Sequence, residues 1–466
     1  MSTTLKQIKH PGWMAAGLMI SAFIGLFGET ALNMALTNIM SDFSVTTGTV
    51  QWLTTGFLLV LGILVPVSAL LLQWFTTKQL ATSALLFSII GTIICALAPN
   101  FTLLLLGRIA QAVGTGILIP LMMNVILVIF PIEKRGSIMG IMGLVITLAP
   151  AIGPTLAGVI VDALSWHYIF WISLFFYIIL FAIWIPTVQN VSEITKPTLD
   201  IPSITLSTIG FGSLIYGLGT LASKPFSDLL VWLPIVVSVI ALLLFGLRQL
   251  KMDAPMIDLR VFRFPNFALG TILLFIGFSV ILSSAILLPL YLKGALLLSA
   301  VAAGLVMLPG NILNAILAPI VGRVFDKIGP KWLLIVGFAF VLIANIIFVL
   351  SLSADTPKLT IIIAFAFTNL GLALALMPAQ TNGLNELPPQ LYPHGAAAMN
   401  TLQQIAGAAG TALAITLMNA GIKRSTETSE TMILANGTHF AFIFILIIAV
   451  IGFVLTLFVK RAKPSM

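Results

Sequence analysis

The stretch Gly28-Glu29-Thr30-Ala31-Leu32-Asn33-Met34-Ala35-Leu36 lies inside an apolar run from about Trp13 to Met40. A run of that length can cross a bilayer as a helix. Glu29 stands well inside it. A carboxylate at such depth is costly, so it is expected to face a protein-lined or water-filled cavity rather than lipid. Asn33 follows four residues on and shares its helix face. An acid that must choose between charged and neutral inside a membrane is a natural proton carrier. The rest of the chain is expected to build a moving cavity around it.

Composition agrees with that reading. Of the 466 residues, 59% are hydrophobic and 8% charged, whereas a soluble domain carries about 25% charged residues. This is the composition of an all-α membrane protein, since barrel strands would alternate over about ten residues. The first run is too long for a cleavable signal peptide and carries Glu29. The single Cys95 reads as a packing residue. The net charge of +8 is scattered over short loops. That pattern points to the lipid bilayer as partner and away from nucleic acid.

Fourteen candidate spans follow, at roughly 13–40, 50–75, 79–98, 102–130, 137–161, 168–187, 203–223, 229–250, 266–291, 300–321, 332–353, 359–381, 396–420 and 439–459. With the N-terminus inside, inner segments hold sixteen of the 22 basic residues and outer loops five, while Arg108 lies within a span. The bias supports an even number of helices with both termini cytoplasmic. An internal repeat is also present. Arg135-Gly136-Ser137 matches His394-Gly395-Ala396, Pro120 with Asn124 matches Pro378 with Asn382, and Gln73-Trp74-Phe75 matches Asp326-Lys327-Ile328, at offsets of 259, 258 and 253 residues. Two six-helix bundles, 1–190 and 253–466, are expected, separated by an inserted helix pair in 191–252. Parallel repeats around a central site are a known transporter plan.

Four motifs carry a resemblance. Gly322-Arg323-Val324-Phe325-Asp326-Lys327-Ile328-Gly329-Pro330-Lys331 resembles the G-x-x-x-D-[RK]-x-G-[RKP]-[RK] signature of the major facilitator superfamily. The resemblance implies a conformational latch at Gly322, Asp326, Lys327 and Gly329, with the acid and bases forming a charge relay between helices. The first-half copy has Gln73 for the acid and Thr76 for the second glycine. Arg108-Ile109-Ala110-Gln111-Ala112 resembles the fourth-helix motif R-x-x-Q-G. Arg108 either snorkels to the headgroups or partners a buried acid and controls proton access to it. Pro150-Ala151-Ile152-Gly153-Pro154-Thr155-Leu156-Ala157-Gly158 resembles the fifth-helix antiporter motif, matched at Gly153, Pro154 and Gly158. Its stripe of Ala149, Gly153 and Ala157 lets helices approach closely, and that packing is expected to seal the two halves. Glu29-Thr30-Ala31-Leu32-Asn33 resembles the first-helix motif of fourteen-helix drug:proton antiporters, with glutamate for the usual aspartate.

The chain is therefore similar to fourteen-helix drug:proton antiporters of bacterial cytoplasmic membranes. The resemblance implies export by alternating access, driven by the proton gradient without a bound cofactor, with Glu29 and Arg108 coupling protons. Asn33, Gln51, Gln111, Asn124, Asn311, Asn314, Asn382, Gln403 and Gln404 are the polar candidates for the substrate cavity. One mid-span acid favours monovalent, zwitterionic or neutral small-molecule drugs over divalent cations. A monomer is expected to suffice. Two other readings stay open: a proton-coupled transporter of a native metabolite, and a polytopic enzyme or receptor. Against the last, the four histidines are dispersed, no metal-ligand or nucleophile–base set is readable, and the phosphate-binding G-x-x-x-x-G-K-[ST] is absent.

Overall fold

The structure, a computed structural model, describes residues 10–462 except 46, 51, 192–193, 195–199, 222–225, 254 and 299, together with a few helical side chains including those of Asn33, Pro150 and Pro154. All regular structure among the described residues is helical. In order the helices are α1 (Pro11–Phe43), the short α2 (Thr47–Val50), α3 (Trp52–Trp74), α4 (Thr77–Ala96), α5 (Phe101–Ile129), α6 (Ile132–Ala163), α7 (His167–Ile179), α8 (Ile201–Leu221), α9 (Leu229–Lys251), α10 (Pro265–Gly294), α11 (Ala300–Ile328), α12 (Pro330–Ser351), α13 (Lys358–Asn385), α14 (Tyr392–Arg424) and α15 (Glu430–Thr456). A π turn and a 3-10 turn extend α7 to Thr187. In lipid a helix satisfies its own backbone polar groups, which is why apolar runs of this length fold this way.

Twelve helices among the described residues are long and apolar enough to cross a membrane, or thirteen if Trp52–Leu64 and Pro66–Trp74 count as one span bent by 53°. Pro66 lies at that bend, and an internal proline removes a helical hydrogen bond. The expected fourteen is not reached by this measure. Helix α6, at the place of the fifth expected span, is outside the set.

Packing separates the long helices into two groups. Helices α1 and α3–α7 pack on one another, as do α10–α15, and the main bridges between groups are α6 with α11 and α3 with α14. Helix α8 packs against both α3 and α14, and α9 packs on α8. On one face the C-terminal ends of α3, α11, α13 and α15 meet the N-terminal ends of α6, α10 and α14. Arg135, Arg260, Lys460 and Arg461 lie at or next to these ends, and it is called the basic face below.

Two helices start earlier on this face than the hydrophobic pattern indicates. Helix α6 begins at Ile132 behind Pro131, and α14 at Tyr392 with a proline in its first turn. Proline suits a helix start because its missing N–H has no intrahelical partner there. The repeated triplets Arg135-Gly136-Ser137 and His394-Gly395-Ala396 therefore sit within the first six residues of their helices. The turns after α3 and α11 are built differently. Thr76 and Gln79 close a capping box at the start of α4. Gly329 precedes α12 with φ +81°, a conformation glycine adopts without a Cβ clash.

Candidate functional site

Helices α1, α3, α4 and α5 converge on Arg108. Its side chain is 1% exposed. Nη1 donates to the Gly28 carbonyl at 3.2 Å and to Gln111 Oε1 at 3.0 Å. Gln111 Nε2 donates in turn to Thr92 Oγ1 at 2.8 Å, and Thr92 donates to the Ser88 carbonyl at 2.6 Å. The guanidinium carbon lies 4.4 Å from the centre of the Phe57 ring, a cation–π contact. Arg108 is thus turned inward and does not snorkel. Its Nε and Nη2 have no hydrogen-bond partner among the described residues. Unpaired buried donors on a charged group are costly.

Glu29 follows Gly28, the residue that Arg108 grips. It is half-buried and feels the Arg108 charge, but no salt bridge closes between them among the described residues. With Glu29 ionised the pair is neutral; with Glu29 protonated it carries one positive charge. Taking or losing one proton on Glu29 therefore changes the charge of the pair by one unit. A cavity of about 10 Å³ lies against Gly28 and Gln111, with Gly25, Ser173 and Tyr177 in its wall. That is about the space of one water molecule.

The antiporter motif packs close by. A Cβ built on Gly153 would collide with Thr30 Oγ1, so α6 crosses α1 immediately beside Glu29. Ala149 and Ala157 are buried in the same cluster as Ala31, Leu32 and Ala35. The expected seal between the halves is thus corrected: this stripe joins two helices of one group. Gly158 has open space where a side chain would go. The side chains of Pro150 and Pro154 lie outside the described residues. The close crossing between groups is made nearer the basic face by Gly136, Gly140 and Gly322. A Cβ on Gly140 would stand 2.6 Å from the Ala318 carbonyl oxygen, and one on Gly322 would meet the Gly136 carbonyl.

The latch also differs from a relay of charged side chains. Asp326 accepts from the Gly136 and Ser137 backbone N–H groups, both at 2.9 Å. A carboxylate from α11 thus binds N–H groups of the fifth and sixth residues of α6, near the helix end where the dipole favours negative charge. Among the described residues no ion pair joins Lys327 to it. Arg461 Nη2 donates to the Asp326 carbonyl at 3.3 Å, and Arg135 bonds Asn385 and Tyr392 at 3.1 and 2.9 Å.

The polar cavity candidates separate. Gln111 belongs to the Arg108 network. Asn124 is buried in α5. Asn314 donates to the Asn369 carbonyl at 3.2 Å, inside the second group. Asn311, Gln403 and Gln404 are half-buried. Asn382 departs from expectation: its amide pairs with the Lys460 carbonyl and the Ala462 N–H at 3.0 and 2.9 Å, fastening the end of the chain at the basic face. Gln51 and the side chain of Asn33 lie outside the described residues. Sequence reasoning missed Gln380 and Asn400, which approach Met123 Sδ from the other group at 3.7 and 3.9 Å. Asn400 stands three and four residues before Gln403 and Gln404, a helical spacing that could have revealed it. It missed Tyr177 and Ser173 because single hydroxyls in an apolar run leave no pattern. No group of three or more metal-ligating side chains occurs among the described residues.

Comparison with known proteins follows the same lines. The sequence profile described as Major Facilitator Superfamily matches residues 18–411. Lincomycin resistance protein LmrB of Bacillus subtilis (strain 168) is 52% identical over 456 residues, covering 96% of this chain and 95% of that one. Probable multidrug resistance protein EmrY of Escherichia coli (strain K12) is 27% identical over 408 residues, covering 86% and 78%. The solved structure of the human organic anion transporter MFSD10 (TETRAN) has the same fold, with a TM-score of 0.67 at 12% identity over 96% of this chain and 99% of that one. With its family profile, its relatives and its two packed helix groups in agreement, this multi-pass membrane protein belongs to the major facilitator superfamily.

Proposed function

We propose that the chain is a proton-coupled multidrug efflux antiporter of a bacterial cytoplasmic membrane, with fourteen spans and both termini cytoplasmic. The basic face is then the cytoplasmic one. Residues 1–190 and 253–466 rock against each other around a central cavity, and 191–252 is an inserted helix pair. The observation that carries this reading is Glu29, an acid deep in the first helix, set beside an arginine with two nitrogens unpaired among the described residues. Protonation from outside removes the Glu29 charge and shifts the balance between the two orientations. Its loss to the cytoplasm restores the Glu29–Arg108 attraction. The proton gradient supplies the energy, and the protein works as a monomer.

Support for drugs as the substrate comes from the names of the relatives, lincomycin resistance and multidrug resistance. The mid-span polar groups are mostly neutral amides, which fits monovalent, zwitterionic or neutral amphipathic compounds. The test is substrate-induced proton release in proteoliposomes, with lincomycin and a panel of dyes and antibiotics. Proton release with several unlike compounds is expected. Release with none of them, but with a metabolite, would favour a native-metabolite transporter.

A further inference from the structure

The two repeated triplets are used differently at the basic face. Asp326 caps Gly136 and Ser137, joining α11 to α6. The equivalent pair joins α3 to α14, but with Gln73 in place of the acid and His394 in place of Arg135. Gln73 Nε2 lies 3.4 Å from His394 Nε2 and also donates to the Ala69 carbonyl at 3.0 Å. His394 is 8% exposed. Its other nitrogen, Nδ1, lies 3.2 Å from the Asp258 backbone nitrogen and faces the Met256 carbonyl. With Nε2 accepting from the Gln73 amide, a neutral ring carries its proton on Nδ1, aimed at the Met256 carbonyl, so His394 bridges α3 and the segment that leads from α9 into α10.

That segment is held from the other side by the inserted pair. Gln249 of α9 is 2% exposed. Its Oε1 accepts the Ile257 N–H at 3.2 Å, and its Nε2 donates to Ser203 Oγ of α8 at 2.6 Å. Ser203 also donates to Asp200, which Arg248 grips with two bonds of 2.6 and 2.7 Å. The Arg248 guanidinium, with help from Ser203, holds the Asp200 carboxyl down at about 2, so this anchor is charged at every physiological pH. Met256 and Ile257 are buried in the core beside it. The result is a continuous line of contacts: Asp200–Arg248 and Ser203, Gln249, the Ile257–Asp258 backbone, His394, Gln73.

We propose that α8 and α9 act as a clamp on the gate at the basic face, with Gln249 a positioning residue that holds the 256–258 backbone so that His394 braces α14 against α3. The clamp takes the place of the second carboxylate arm that Gln73 cannot supply. It rests on the alternating-access reading above but not on the nature of the cargo.

The test uses full-length protein in membrane vesicles, with Cys95→Ala and the reporter Met123→Cys. Met123 is buried between the groups behind this gate. The rate of maleimide labelling from the basic side measures how often the gate opens. Gln249→Ala is expected to raise that rate about fivefold, the order expected for one buried hydrogen bond. His394→Ala should raise it at least as much. The double variant should match His394→Ala alone, because Gln249 acts through His394. Asp326→Asn combined with His394→Ala should exceed either single change. An unchanged rate in Gln249→Ala, or additive effects of Gln249→Ala and His394→Ala, overturns the clamp. If the alanine variants fail to fold, Gln249→Glu and His394→Asn are read by the same criteria. Labelling that follows this pattern in a protein exporting no drug would refute the drug reading and leave the clamp standing.

Discussion

At the scale of single residues, Arg108 is the most exacting group in the protein. It spends one nitrogen on Gly28 and Gln111 and leaves Nε and Nη2 unpaired. A planar fork does this; a lysine ammonium has no second arm to hold in reserve. Arg108→Lys is therefore expected to keep the positive charge yet lose at least about tenfold in proton-driven transport, since charge-assisted bonds are worth about 1.5–3 kcal/mol. Transport assays in vesicles at fixed pH gradient check this, and near-parental activity would mean that charge alone suffices. The sequence showed Arg108 as a charge within an apolar run but left its direction open, because snorkelling and inward pairing need the same residue type. Only the place of Gly28 and Gln111 around it decides. Asn382 was misplaced for the same reason: a buried amide serves a cavity and a chain end equally well, and nothing in the local pattern says that Lys460 and Ala462 return to it.

Among elements, the crossing of α6 and α11 carries the largest share of the contact between groups. Gly136, Gly140 and Gly322 let the two backbones meet. Gly322→Leu should force the helices apart, and overpacking of this kind costs about 1–3 kcal/mol. Expression is expected to persist while transport falls about tenfold or more; normal transport would show that this crossing need not close. Asp326→Asn tests the same junction by charge. An asparagine can still accept one N–H, but its amide NH2 faces the other. A charged cap near a helix N-terminus is worth about 0.3–1 kcal/mol, rising to about 2 when partly buried. Turnover should fall severalfold with drug affinity changed less than about twofold, as read by transport and equilibrium binding on one preparation. The motif at Gly322–Lys331 was legible at once because glycines and charges interrupt apolar runs conspicuously. That its acid caps a helix instead of pairing with Lys327 was not, since the partner is backbone from a helix about 190 residues away. The capping box Thr76–Gln79 was legible in principle from its T-x-x-Q spacing, but it was hidden under the expectation of a glycine.

For the whole molecule, the repeat in the sequence pointed to two bundles, and the long helices pack in two groups. The triplets 135–137 and 394–396 lie near helix starts and Gln73 and Asp326 near helix ends, and the two groups meet through them. The link from α9 to the basic face was not legible, because a contact made through Gln249 and backbone groups leaves no charge pattern to read. The central claim is that Glu29 carries the proton that drives export. Glu29→Gln keeps the shape of the protonated acid and removes its titration. The direct measurement is pH-gradient-driven efflux of a dye substrate from vesicles holding this variant, beside binding of the same dye. The account predicts binding retained and uphill efflux lost, with Glu29→Asp partly active. Unchanged uphill efflux in Glu29→Gln would show that the proton travels elsewhere.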